Sequence, residues 1–143
     1  MTILAIFFGL GIAEAQTKQE TMAWIKEKIE KYGSYTNDVN ISLYAKVIYI
    51  NACEISFKVS WKNWEGDWEK SYAFPTDNID FVYSYGIKFN ADVVHYSNTY
   101  LTQDKAIDKV DVLQFNREAN LDERFEKALK HLATFCEKKK ETF

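Results

Sequence analysis

The chain predicts an α+β domain: an N-terminal helix, six or seven antiparallel strands in a curved sheet or small barrel, and a C-terminal helix. Three observations carry that reading. Cys53, Ile55, Phe57, Val59 and Trp61 alternate without a miss against Glu54, Ser56, Lys58, Ser60 and Lys62. That is the period-2 signature of a strand buried on one face. Apolar residues at helical spacing flank the strand region on both sides. Between the helices, turn residues recur at close spacing, which pairs neighbouring strands antiparallel.

The first element is an export segment. Residues Ile3 to Ile12 are apolar, and Ala13-Glu14-Ala15 follows with small residues at the two positions a signal peptidase reads. Ten residues of helix span about 15 Å, half of a bilayer core roughly 30 Å thick. Residues 1–15 are therefore read as a signal peptide and 16–143 as a single α+β domain. No Lys or Arg precedes the apolar run, so a buried N-terminal strand or helix is the competing reading. No lipobox cysteine follows the run. The expectation is an exported protein, periplasmic or secreted, with no stable membrane insertion after cleavage.

Thr17 with Glu20 three residues later forms a capping box that opens the first helix. Met22, Ile25, Ile29 and Tyr32 recur at helical spacing, and Gly33 supplies the stop. Trp24 lies beside the stripe and packs on the edge of the core. "SYTNDVN" is a polar loop. Strands follow at Ile41–Ile50 and Cys53–Lys62. "NWEGD" turns the chain, with Gly66 free to take positive φ. Trp68, Lys70, Tyr72 and Phe74 return, and Pro75 with "TDN" ends that strand. Short strands then fit Ile79–Tyr83, Gly86–Asn90, Val93–Tyr100 and Val110–Phe115. The last helix is capped by Asn120 and Glu123 and carries Leu121, Phe125, Ala128, Leu129, Leu132 and Cys136 on one stripe.

Composition narrows the function classes. Aromatic residues make up 16% of the chain and there is one proline, which favours a sheet-rich globule over disorder. Net charge is -3 with the signs interspersed. Nucleic-acid binding needs a broad positive field, which this chain lacks. The one basic run, Lys138-Lys139-Lys140, suits a solvated helix end.

Four segments carry a resemblance: "TKQETMAWIKEKIEKYG" after an Ala-Gln junction, "CEISF", "SYAFPTDNIDFV" and "DERFEKALKHLATFC". Together they resemble small exported proteins of unknown function from Bacteroidota-type bacteria. "YAFPTDNIDFV" is also similar in pattern to the middle of pleckstrin-homology-like domains. That resemblance implies a seven-stranded barrel capped by a C-terminal helix, in a binding or scaffolding module. It implies no catalytic residue.

The two cysteines are the sharpest chemical feature. Exported cysteines usually pair. Cys53 opens a strand on its apolar face and Cys136 ends the stripe of the last helix, so both would point inward and a disulfide could join them. Closing so long a loop would contribute roughly 4 kcal/mol in the chain-entropy model, less any strain. Two buried free thiols are the alternative. A nucleophilic thiol needs a partner base, and none lies nearby in sequence. There is no Cys-x-x-Cys and no His-x-x-x-His, so no metal ligand set is named. His95 falls on the polar side of a strand and His131 beside the helix stripe, and neither has a sequence-visible orienting group. "QDKAIDKVD" brings Asp104, Asp108 and Asp111 together but lacks the glycine and spacing of a calcium loop, so it reads as a solvated connection. No P-loop, G-x-G-x-x-G or G-x-S-x-G occurs, and no cofactor is expected. "NIS" at Asn40 is a glycosylation sequon that matters only in a eukaryotic secretory pathway.

The aromatics are the remaining candidates. Trp61 is in phase with the buried face and reads as core. Trp68 could pair with it across the hairpin. Trp64 lies in the turn, where the same face cannot easily bury it. With Trp68 and Tyr85 it is a candidate contact for a protein or glycan partner. The sequence thus points to a non-catalytic binding module. A small periplasmic glycan-active protein or hydrolase, using Trp64 with Glu65 and Asp67, is the alternative. A disulfide-stabilised envelope structural protein is a third reading.

Overall fold

A computed structural model describes residues 17–33 and 44–137. The expected export segment, the loop at 34–40 with the Asn40 sequon, positions 41–43 of the first expected strand, and the Lys138–Lys140 run lie outside the described residues.

Helix α1 spans Lys18–Tyr32. Thr17 Oγ1 accepts the Glu20 N–H at 3.1 Å and Glu20 Oε2 accepts the Thr17 N–H at 3.4 Å, which completes the expected capping box. Ile25 and Ile29 are fully buried, and Met22 and Tyr32 pack beside them. Gly33 ends the helix at φ -79°, outside the left-handed region. Its role is close approach. A Cβ there would sit 2.5 Å from the Ile29 carbonyl and 2.6 Å from Ala45 Cβ.

Eight strands follow: β1 Tyr44–Ile50, β2 Glu54–Asn63, β3 Gly66–Pro75, β4 Ile79–Tyr83, β5 Gly86–Phe89, β6 Val94–Asn98, β7 Gln103–Ile107 and β8 Lys109–Val110. They form a five-stranded sheet, β1-β2-β3-β6-β7, and a three-stranded sheet, β4-β5-β8, antiparallel throughout. Among the described residues they do not close into a barrel. The chain leaves the larger sheet at Pro75, which has no N–H to continue the ladder.

Two segments depart from the sequence reading. "QDKAIDKVD" is not a loose connection: it supplies β7 and β8. Its inward positions include Gln103 and Lys105, paired with Asn98 and Tyr96, so no apolar alternation marks the strand. Val110–Phe115 is not one strand. β8 stops at Val110, and the buried Val112, Leu113 and Phe115 run irregularly into a 3-10 turn at Phe115–Arg117. Three successive backbone donors of this stretch are satisfied outside any ladder: Leu113 N–H by Tyr85 O, Gln114 N–H by Tyr32 O and Phe115 N–H by Ser84 O.

Helix α2 spans Leu121–Ala133, with Leu121, Phe125, Ala128, Leu129 and Leu132 buried as the stripe requires. Asn120 is its N-cap residue but makes no side-chain cap bond. Its φ of 56° is a left-handed conformation that Asn tolerates, and its carbonyl accepts the Arg124 N–H. Asp122 Oδ1, not Asn120, receives the Glu123 N–H. α1 packs on β1 and α2, and α2 packs on β4. One continuous core joins both sheets and both helices, with ring pairs Phe57–Tyr72 at 5.3 Å, Phe74–Phe89 at 5.7 Å and Phe115–Phe125 at 4.5 Å. Trp24 lies at the edge of this core, 6.0 Å from Phe125. No helix among the described residues is long and apolar enough to cross a membrane.

Cys53 and Cys136 form a disulfide across 83 residues, with Cα atoms 4.9 Å apart. The inward placement expected for both holds in part for Cys136, which packs against the core, and fails for Cys53. Cys53 is exposed, in the turn ahead of β2, and Cys136 is half-buried, past the end of α2. The turn is set by Asn51, whose Oδ1 accepts the N–H groups of Cys53 and Glu54, both at 2.9 Å. Thr76 clamps it from β3's exit, through its N–H to Cys53 O and its hydroxyl to Ala52 O.

Candidate functional site

The β2–β3 hairpin is registered with Trp61 opposite Trp68 and Asn63 opposite Gly66, which leaves Trp64 and Glu65 as its two-residue tip. Two-residue loops favour positive φ at their central positions. Neither Trp64 nor Glu65 has it, and Gly66 takes it instead, at φ 146°. Asn63 fixes the corner. Its Oδ1 accepts from Glu65 N–H at 2.8 Å, Gly66 N–H at 3.2 Å and Trp68 Nε1–H at 2.8 Å. Backbone turn and indole are thus tied to one side-chain oxygen.

The β6–β7 turn lies alongside and uses the same device. Asn98, buried at 2% exposure, accepts the N–H groups of Tyr100 and Leu101 at 2.9 and 3.1 Å and donates to the Tyr96 hydroxyl at 2.9 Å. Thr99 bonds to the Glu69 backbone in both directions, which docks this turn on β3. Tyr100 is thereby held edge-on to Trp68 at 4.9 Å and to Trp61 at 6.4 Å. Lys70 Nζ lies over the Trp61 ring at 5.9 Å. Trp61 is half-buried rather than core. It keeps the inward phase of Phe57 and Val59, but the hairpin has run past the end of the core by that point.

The cluster is therefore a ledge of Trp61, Trp68 and Tyr100 with Trp64 projecting beyond it. Trp64 is 91% exposed, Leu101 56% and Tyr100 42%. Glu65 and Asp67 flank Trp64 and are exposed, and their carboxylates have no hydrogen-bond or ion-pair partner among the described residues. Tyr85 is also exposed, but it sits on the β4–β5 turn of the other sheet and makes no ring contact with the cluster. Sequence reading found the rings and missed the two asparagines that hold them. The signal was present: Asn ahead of a tight turn offers its side chain to the backbone two and three residues on.

The other candidates are scattered. His95 is on the outer face of β6 and pairs with Asp104 of β7 at 3.1 Å, both side chains well exposed. His131 lies on α2 against Phe135. Asp108 pairs with Lys88, and this cation holds its carboxyl below the usual range. Asp111 instead faces the buried Tyr72 hydroxyl at 3.5 Å. Burial first, then the Asp111 charge, pushes the Tyr72 phenol far up, so it stays protonated. Among the described residues no three His, Cys, Asp or Glu side chains converge as metal ligands would.

A polar knot lies away from the ledge. Glu118 accepts from Arg124, from the Tyr32 hydroxyl at 2.8 Å and from Lys28 Nζ at 3.0 Å. The Arg124 hydrogen bond above all, then Tyr32 and Lys28, lowers the Glu118 carboxyl to about 2. Lys28 is nearly buried and also lies over the Trp24 ring at 5.5 Å. The knot ties α1 to α2. All its charges are paired, so it reads as structure.

Comparison with protein-family models, with curated proteins and with solved structures finds no match to this chain.

Proposed function

We propose that the protein is an exported, non-catalytic binding module that engages its partner through the aromatic end of the five-stranded sheet. One observation carries the reading: a tryptophan 91% exposed on a turn whose backbone is pinned by two bonds to Asn63, which also holds the Trp68 indole. Leaving an indole in water forgoes about 1.5–3 kcal/mol of burial typical of a large side chain, while a fixed turn lowers the ordering cost of binding. Export is supported by the disulfide, because paired thiols persist in oxidising compartments. The resemblance of Tyr72–Val82 to pleckstrin-homology-like modules agrees with a binding role. A glycosidase reading built on Glu65 and Asp67 would need the two carboxylates to converge on one enclosed site, whereas both are exposed at the turn.

The test is cross-linking from position 64. A photoreactive benzophenone side chain replaces Trp64 in cells that export the protein, with Asn116 as the control position. Discrete adducts from 64 and none from 116 are expected. Equal yields from both positions would remove the reading.

A further inference from the structure

We infer that the ligand of the Trp64 end is a neutral polysaccharide, whose sugar rings stack on the indole; this rests on the reading of that end as the contact surface. The hairpin tip consists of two residues only, Trp64 and Glu65, and just behind them Lys62 and Asp67 stand opposite one another on β2 and β3. The side chains of Lys62, Glu65 and Asp67 have no ion-pair or hydrogen-bond partner among the described residues.

That chemistry discriminates among occupants. A bilayer would have to take in the Glu65 carboxylate together with the indole, a charge transfer that costs several kcal/mol or more by the order of magnitude for unpaired ions. A polyanion meets two carboxylates against one lysine. The centre of a protein interface is depleted in Lys, Glu and Asp, yet those residue types occupy the hairpin positions next to Trp64. A sugar ring has what the tip lacks. Its C–H face is apolar and flat enough to cover an indole. Its rim carries hydroxyls that donate to Glu65 and Asp67 and accept from Lys62. A neutral polyol also brings no net charge to a tip that holds both signs. Tyr100, partly exposed on the ledge behind, offers a further ring for a neighbouring sugar of the same chain.

The full-length protein is run in native gels containing dextran, a β-1,3-glucan or a galactomannan, with alginate as the polyanionic comparison. Sedimentation with phosphatidylcholine vesicles forms a separate arm. Retardation by at least one neutral polysaccharide is expected, with none by alginate and no sedimentation with vesicles. Trp64→Ala should abolish the retardation and Trp64→Phe should retain part of it. Glu65→Gln with Asp67→Asn should weaken it at least threefold, with the melting temperature unchanged. The inference is overturned if no neutral polysaccharide retards the protein, if Trp64→Ala binds as well as the parent, or if alginate or vesicles bind in a Trp64-dependent way. Loss of retardation with position-64 adducts retained would leave the contact surface standing and make its partner something other than a glycan. Loss of both would remove both.

Discussion

Single side chains fix both the α1–α2 knot and the tip of the β2–β3 hairpin. At the knot, Glu118 carries a carboxyl held at about 2 against an ordinary 4.5. The folded state therefore prefers the ionised form. Its contribution is complete above about pH 4.5 and is lost as the pH falls from there toward 2. Glu118→Gln should cost roughly 1–2 kcal/mol at neutral pH, the range for partly screened charge-assisted bonds. Urea midpoints of parent and variant, measured from pH 7 down to pH 2, should converge at the acid end. A gap that stays constant over that range would show that Glu118 acts by packing alone. At the tip, Asn63→Ala removes the acceptor of three N–H donors. Amide exchange at Glu65 and Gly66 should rise at least tenfold, while exchange at Phe57 and Tyr72 stays at the parent rate. Such positions show how far sequence reading reaches. The Trp61 phase was legible, but the point where the core ends was not, because that depends on which elements pack beneath the strand.

At the scale of elements, both helices reach over to the edge of a sheet. Glu30 of α1 accepts the Val47 N–H of β1 at 3.1 Å, and Glu126 of α2 accepts the Val82 N–H of β4 at 2.9 Å. Each sits near a register irregularity, between Val47 and Tyr49 and between Ile79 and Phe81. β1 and β4 are edge strands that expose Tyr44, Ile48, Tyr49 and Phe81. Free N–H groups beside exposed apolar side chains form a template for unwanted strand pairing. Replacing both glutamates by Ala should add concentration-dependent higher oligomers, absent from the parent, in light scattering after gel filtration. A double variant with the same mass as the parent at every concentration would show that the bulges suffice. Two of the four edges, β7 and β8, were also where the sequence was least readable. β2 and β3 lie in the middle of the larger sheet with a buried face, and their alternation gave them away. β7 is an edge whose inward residues are Gln103, Lys105 and Ile107, only the last of them apolar, and β8 is two residues long, so neither leaves a period to detect. The Val110–Phe115 run was apolar because it is buried, not because it is a strand.

On the scale of the whole molecule, the disulfide joins the first inter-strand turn to the far end of the last helix. Its two ends are held by different elements, and the Asn51 and Thr76 bonds fix the Cys53 turn without it. Cys53→Ser with Cys136→Ser should therefore fold to the same structure but lose roughly 2–4 kcal/mol. Denaturant unfolding reads that loss, and alkylation under non-reducing, denaturing conditions should label neither cysteine of the parent. Labelling of both would show that the thiols are free. The placement of the bond also has a consequence in time. Cys136 follows Cys53 by 83 residues, so at about 5–20 residues per second it is synthesised several seconds or more after Cys53. The bond therefore cannot guide the early hairpins, which form in microseconds. It closes only on a chain that has been made as far as its last helix and has brought that helix home. A chain broken off before Cys136 is left displaying an unpaired thiol on its surface, a mark that separates the unfinished molecule from the finished one.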